Sequence, residues 1–229
     1  MNPRFSWAAV LAGLALAWPA WAQQEFGNHS ALYTWVGQEA QFRPVFERRE
    51  IAQVNPTARR AEVKDLGAGW GSVWIEREGV VIGGKRQRWA QAKRTWGVAR
   101  PVHVDLELAQ VWEQSGPRHR LCIQSPSGSS ASAARWQHVV VVEWPARRSK
   151  PAMYTWVAPY ASCEAVWVNG AGVLIAGGFE MQFESEQRMT DASLALWQMA
   201  SGVVFARYAL ELKEGANPFE LRALRQLPH

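Results

Sequence analysis

The residues best able to do chemistry in this chain are its five histidines, and their spacing forms no catalytic or metal-binding motif. They stand far apart, and neither an HxH nor an HExxH pattern occurs among them. His138 is the strongest candidate, because it shares the apolar face of a predicted strand. A lone histidine in that setting is more often a hydrogen-bonded core residue than a catalyst. We therefore predict no catalytic residue from this set, no metal site and no cofactor.

Serine and carboxylate chemistry also lacks a specific pattern. The GxSxG turn of serine hydrolases is absent from the sequence. The two carboxylates of a glycoside hydrolase could come from Asp105, Glu107, Glu143 or Glu184, although any β protein offers such residues. An enzyme therefore remains only as an alternative, a cell-envelope hydrolase whose site is assembled from dispersed residues.

Tryptophan is the unusual feature of the composition, with 14 residues in a chain of 229. Large aromatic side chains often fill the core of a β protein. They also stack on sugars and line apolar ligand sites, which is the functional interpretation. The candidate ligand-binding residues on this interpretation are Trp89, Trp96, Trp136, His138 and Trp144.

Positive charge is concentrated in the middle of the chain. Residues 81–150 contain 12 Lys or Arg and 4 Asp or Glu, whereas residues 151–229 contain 5 basic and 8 acidic residues. The predicted basic surface comprises Lys85, Arg86, Arg88, Lys93, Arg94, Arg147, Arg148 and Lys150. Such a surface favours an anionic envelope component, and a solvated surface that keeps the protein soluble is at least as good an explanation.

The N-terminal residues are typical of a secretory signal peptide. Arg4 precedes a short apolar run, and Ala20-Trp21-Ala22 provides a small-x-small cleavage site before Gln23. We expect residues 1–22 to be removed and residues 23–229 to form one mature β domain, periplasmic or secreted, without a transmembrane segment. Export argues against a nucleic-acid partner.

The two cysteines are expected to form a disulfide, because an exported protein reaches an oxidising compartment. Cys122 and Cys163 are the only cysteines of the chain. The bond would stabilise the fold by about 3–4 kcal/mol through restriction of the unfolded chain. The alternative, a nucleophilic or metal-binding thiol, lacks a CxxC spacing and a nearby histidine cluster.

The elements that must position these residues are β-strands. Residues 136–144 predict a strand with one apolar face and one mixed face, and residues 73–82 predict a hairpin. Further strands are expected at residues 102–108, 120–124, 179–183 and 203–212, and we favour a strand over a helix at 190–199. The expected fold class is all-β, an antiparallel sandwich or barrel. Residues 23–32 and the tail from Lys213 are expected to be loosely ordered.

Three blocks of sequence recur in the same order and suggest an internal duplication. Residues 33–36 and 154–157 are identical, residues 166–178 resemble 73–84, and residues 191–202 resemble 105–116. Two β-meander units, 33–124 and 154–212, would then share one core. Unrelated strands and turns built from similar residues would produce the same matches.

The leading functional hypothesis is an exported, non-enzymatic binding or assembly protein. It is motivated by the surplus of tryptophan, the basic centre and the absence of a catalytic spacing. The partner classes it leaves open are an anionic envelope component, a small apolar ligand or a partner protein.

Overall fold

The structure, a computed structural model, describes residues 24–49, 51–55, 59–67, 69–114, 119–128, 135–144, 151–183, 189–212 and 221–227. The predicted signal peptide, residues 1–22, lies outside these ranges. Within these ranges the chain forms one α-helix, α1 (His29–Glu39), short 3₁₀ turns at Trp89–Gln91 and Cys163–Ala165, and a succession of strands. These are β1 (Gln24–Phe26), β2 (Arg43–Pro44), β3 (Glu47–Arg49), β4 (Ile51–Asn55), β5 (Arg60–Val63), β6 (Val73–Glu76), β7 (Gly79–Ile82), β8 (Lys85–Arg88), β9 (Lys93–Gly97), β10 (Gln110–Gln114), β11 (His119–Pro126), β12 (Trp136–Trp144), β13 (Ala152–Pro159), β14 (Val166–Val168), β15 (Leu174–Phe183), β16 (Met189–Gln198), β17 (Val204–Leu212) and β18 (Leu221–Leu227).

The strands form three sheets. Sheet A has the order β1-β18-β17-β16-β15-β14-β2, sheet B the order β3-β10-β11-β12-β13-β9, and sheet C the order β4-β5-β6-β7-β8. Neighbouring strands are antiparallel except for β13 and β9, which run parallel. The predicted all-β class with antiparallel, sandwich-like sheets is therefore confirmed.

The sheets are stacked in layers with sheet B in the middle. One core cluster lies between α1 and sheet A and includes Tyr33, Trp167 and Phe179. A second lies between sheets A and B around Trp156 and Trp197, and a third lies between sheets B and C. The molecule thus buries apolar side chains at three successive interfaces.

Strand β12 shows how the middle layer is built. Val139 and Val141 belong to the core shared with sheet A, whereas Val140 and Val142 belong to the core shared with sheet C. The strand at 136–144 is confirmed, and its mixed face carries Gln137 and Glu143 near the ends and buried valines at the centre. Both faces are buried there, because successive residues of a strand point to opposite sides and each side meets another sheet.

The predicted disulfide between Cys122 and Cys163 is present, with the two Cα atoms 5.9 Å apart. Cys122 lies in β11 of sheet B, and Cys163 begins the 3₁₀ turn that leads into β14 of sheet A. The backbone N–H of Cys163 also donates to the side-chain oxygen of Gln124, at 3.1 Å. The bond therefore links two layers of the sandwich.

The N-terminal segment differs from its prediction. Residues 24–26 pair with β18, and a helix covers residues 29–39, where a loosely ordered lead and then the start of a β-meander unit were expected. Asn28 caps the helix by accepting from the backbone N–H of Ala31, at 2.9 Å. The buried residues Leu32, Tyr33 and Val36 share one face, which packs on sheet A.

Two further predictions need correction, while the remaining strand predictions hold. Residues 102–108 have no strand hydrogen bonding, although Val104 is buried and residues 106–108 form a turn. The tail contains β18, which pairs with both β17 and β1. The hairpin at 73–82 and the strands at 120–124, 179–183, 190–199 and 203–212 are present.

The proposed duplication matches the structure in one block of three. The identical residues 33–36 and 154–157 are helical in α1 and extended in β13. Residues 105–108 form an irregular segment and a turn, whereas the matching 191–194 lie in β16. Only the hairpins β6–β7 and β14–β15 correspond. Local sequence similarity therefore does not fix secondary structure here, because each copy meets a different packing partner.

Candidate functional site

An open cleft of about 740 Å³ lies between the outer part of sheet A and the edge of sheet B at β9 and β13. Its floor follows from strand pairing. In sheet A the pairs Ala176–Trp197 and Gly178–Ala195 lie on the side facing sheet B, and the next pair on that side is Glu180–Ser193. The face of sheet A thus continues beyond its contact with sheet B and becomes a cleft wall.

Trp96 provides one aromatic wall of the cleft. Its ring stacks on that of Trp197, with centroids 4.6 Å apart and planes inclined by 18°. Trp197 is held in turn by a 3.2 Å hydrogen bond from Nε1 to the hydroxyl oxygen of Thr95. Gly178 makes room for the ring, because a Cβ at that position would lie 2.6 Å from a Trp96 ring carbon.

Trp136 provides the second aromatic surface. It begins β12 and pairs across the sheet with Pro159, which also lines the cleft. The guanidinium of Arg100 lies 5.0 Å from the centroid of the Trp136 ring, a cation–π distance. The ring is half-buried and so keeps surface available for contact with a ligand.

The polar groups of the cleft centre on Glu180 and Arg207. Arg207 donates from Nε and from one terminal nitrogen to the two carboxylate oxygens of Glu180, at 3.1 and 3.4 Å. The hydroxyl of Ser193 donates to the same carboxylate at 3.1 Å. This network is part-buried, so it presents fixed donors and acceptors to the cleft. Gln182 and Asp191 lie farther out and are exposed.

Two of the five predicted ligand-binding residues, Trp96 and Trp136, line this cleft. Trp89 does not: it is buried in the core between sheets B and C. Trp144 packs against the same core. The strand pattern could not separate these roles, because it shows that a tryptophan faces inward but not which sheet it meets.

His138 is also outside the cleft. It is 4% exposed, and its Nδ1 has no hydrogen-bond partner within the described part of the chain. Burial, together with the nearby His103 and Arg100, lowers the pKa of His138 to about 4. The imidazole is therefore neutral at neutral pH, as expected of a core histidine.

The described basic residues lie on exposed strands at two sheet edges. Lys85, Arg86 and Arg88 are in β8 of sheet C, and Lys93 and Arg94 begin β9 of sheet B. Arg86 pairs with Glu76 at 2.8 Å, and Lys93 donates to the carbonyl of Ala200 at 2.6 Å. Arg147, Arg148 and Lys150 lie outside the described residues.

A second depression, of about 620 Å³, adjoins the irregular segment 101–108. Arg59, Arg77 and His103 line it together with the carboxylates of Asp105 and Glu107. These opposite charges do not create a field of one sign. Glu107 and Asp105 instead form a local turn, in which the Glu107 N–H donates to the Asp105 carboxylate at 3.0 Å.

No protein-family model, curated protein or solved structure matches the chain. Within the described residues, no group of three His, Cys, Asp or Glu side chains could hold a metal ion. None of the described helices is long and apolar enough to cross a membrane. Function therefore has to follow from the chemistry of the cleft.

The polar half of the cleft was missed in the sequence analysis. Glu180 alternates with Phe179 and Met181, so it reads as an ordinary solvent-facing strand residue. Ser193 and Arg207 become its partners through strand register, Ser193 directly opposite and Arg207 one strand farther. A search for Glu and Arg in one sheet would have found the pair only after that register was known.

Proposed function

We propose that this protein is an exported, non-enzymatic binding protein whose cleft holds a small ligand with both an apolar ring face and polar groups. The proposal is carried by one observation: Trp96 and Trp136 line the same cleft as the Glu180–Arg207 ion pair. The volume of about 740 Å³ falls within the range of roughly 300–1,000 Å³ that is usual for ligand sites.

Periplasmic or secreted location is part of the proposal. It is supported by the signal-peptide pattern of residues 1–22, and a disulfide is compatible with an oxidising compartment. The alternative of an envelope hydrolase gains no support from His138, which lies outside the cleft and is neutral at neutral pH.

The test is a ligand-observed NMR screen of aromatic and polar fragments against the disulfide-bonded protein, with a variant that fills the cleft. Ala209 is half-buried and lines the cleft, so Ala209→Trp would occupy its space. We expect fragments that bind the wild type to lose binding in the filled variant. Native mass spectrometry of protein purified gently from its host should also show a small bound mass. A screen without cleft-dependent binders, together with a bare protein mass, would refute a ligand-binding role.

A further inference from the structure

We propose that the ligand of the cleft is a neutral carbohydrate chain. This inference rests on the proposed binding function and names the ligand class. A pyranose ring presents C–H bonds on its face and hydroxyl groups around its rim. The cleft offers the complement of both, in aromatic rings at Trp96 and Trp136 and in planar polar side chains on the floor from sheet A.

The aromatic rings are held ready for stacking. The electron-rich face of an indole attracts the weakly positive C–H hydrogens of a sugar. Trp96 is fixed from behind by Trp197, and Trp136 by its contact with Arg100. Little side-chain entropy remains to be lost when a ring docks on them, which favours binding.

The polar groups match hydroxyls better than they match other ligand chemistry. Arginine has five N–H donors, and Arg207 uses two of them on Glu180. Glu180 accepts three hydrogen bonds and keeps acceptor capacity on its two oxygens. A hydroxyl both donates and accepts, so a single sugar hydroxyl can bond to Glu180 and Arg207 together.

Charge argues against the competing ligands. Glu180 and Asp191 carry negative charge and Arg207 carries positive charge, while Arg100 lies beside Trp136. These charges balance, so the cleft has no excess of one sign to attract a phosphate or a fatty-acid carboxylate. A wholly apolar ligand would instead cover Glu180, Arg207 and Ser193 without replacing their hydrogen bonds to water, which is costly.

The cleft is open along one side, which favours a chain over a single sugar. Gly97, Gln182 and Asp191 line it and are exposed. A ligand seated on the two tryptophans can therefore continue past these residues into solvent. Gln182 and Asp191 supply an amide and a carboxylate where the next sugar would lie.

The experiment is isothermal titration calorimetry of the disulfide-bonded protein with cello-, chito-, malto- and manno-oligosaccharides. We expect at least one of the four to bind, and Trp136→Ala to weaken that binding about tenfold or more. The matched control is Trp74→Ala. Trp74 is also half-buried in a strand and carries an arginine over its ring, Arg60 at 4.2 Å, but it lies in sheet C away from the cleft. We expect the control to bind like the wild type.

A second variant, Asp191→Ala, keeps the inference testable if Trp136→Ala does not fold. Asp191 is exposed, so Asp191→Ala should fold normally and weaken binding of the same oligosaccharide about threefold to tenfold. Failure of all four oligosaccharides to bind would overturn the carbohydrate inference, as would equal loss in the Trp136 and Trp74 variants. If fragments still bind the cleft while the sugars do not, the inference fails and the binding function stands.

Discussion

Glu113 is a fully buried carboxylate whose three partners come from two separate parts of the chain. One oxygen accepts from the backbone of Gly67 at 2.9 Å and from Nε1 of Trp70 at 2.7 Å. The other accepts from Nε of Arg49 at 3.0 Å. Because an unpaired buried charge is costly, these contacts fix the segment between β5 and β6 against sheet B.

Arg120 has a comparable role within a single sheet. It is 3% exposed and donates to Glu143 at 2.6 Å and to Gln114 at 2.7 Å. Glu143 lies directly opposite Arg120 in the register of β11 and β12. Arg120 and Glu143 therefore serve strand register, and the polar groups of the cleft are the better functional candidates.

His138 should make stability depend on pH. Its folded pKa of about 4 lies below the ordinary value of 6.5, so the unfolded chain binds the proton more tightly. The contribution of neutral His138 to stability is fully present above about pH 6.5 and is lost as pH falls towards 4. We expect the titration of His138 to lower the free energy of unfolding by about 2 kcal/mol between pH 7.5 and pH 5, measured by urea denaturation.

The control for this prediction is His138→Gln, which removes the titrating group. His29 has a lowered pKa through burial as well, so the variant should keep part of the pH dependence. A variant whose unfolding free energy falls between the two pH values as much as that of the wild type would contradict the role of His138.

At the scale of elements, β9 is the strand on which the cleft depends. It runs parallel to β13 at the edge of sheet B and carries Trp96. Lys93 attaches its start to the turn after β16 through the carbonyl of Ala200. Gly97 ends β9 with a φ of 81°. A Cβ at this position would collide with the carbonyl oxygen of Val157. Glycine is therefore required there by backbone angle and by space.

Gly97→Ala should destabilise the protein and weaken ligand binding together, because β9 must shift away from β13. The matched control is Gly71→Ala, where φ is 66° and the nearest atom to the added Cβ is 3.8 Å away. The control should cost about 1–2 kcal/mol for its left-handed backbone alone, and Gly97→Ala roughly twice as much. Urea denaturation measures both. Equal costs would show that the close approach of Val157 does not matter.

At the scale of the whole molecule, the disulfide and the core between sheets A and B hold two layers together. The bonded cysteines are separated by 41 residues in sequence. Restriction of a loop of that size in the unfolded chain corresponds to about 3–4 kcal/mol of stability. We expect reductant to lower the free energy of unfolding by that amount.

Intact mass before and after alkylation under native and reducing conditions establishes that the bond forms in the purified protein. A Cys122→Ala/Cys163→Ala variant is the control, and its stability should not respond to reductant. Alkylation of both thiols without reductant, or a wild-type stability that reductant does not change, would contradict the prediction.

The sequence by itself determined the local features that depend on residue type and spacing. Alternation predicted β15, turn residues predicted the hairpin at 73–82 and the return strand β17, and the count of two cysteines predicted the bond between them. These features follow from short-range patterns, or from a pairing with only one possible partner.

Only the tertiary structure decided what each element packs against. Residues 33–36 and 154–157 have identical sequences, yet one is helical on sheet A and the other is a strand of sheet B. Trp96 lines a cleft while Trp89 fills a core, and Glu180 meets Arg207 only through the register of three strands. The physical reason is that burial and pairing energies come from neighbours distant in sequence, and they override local propensity.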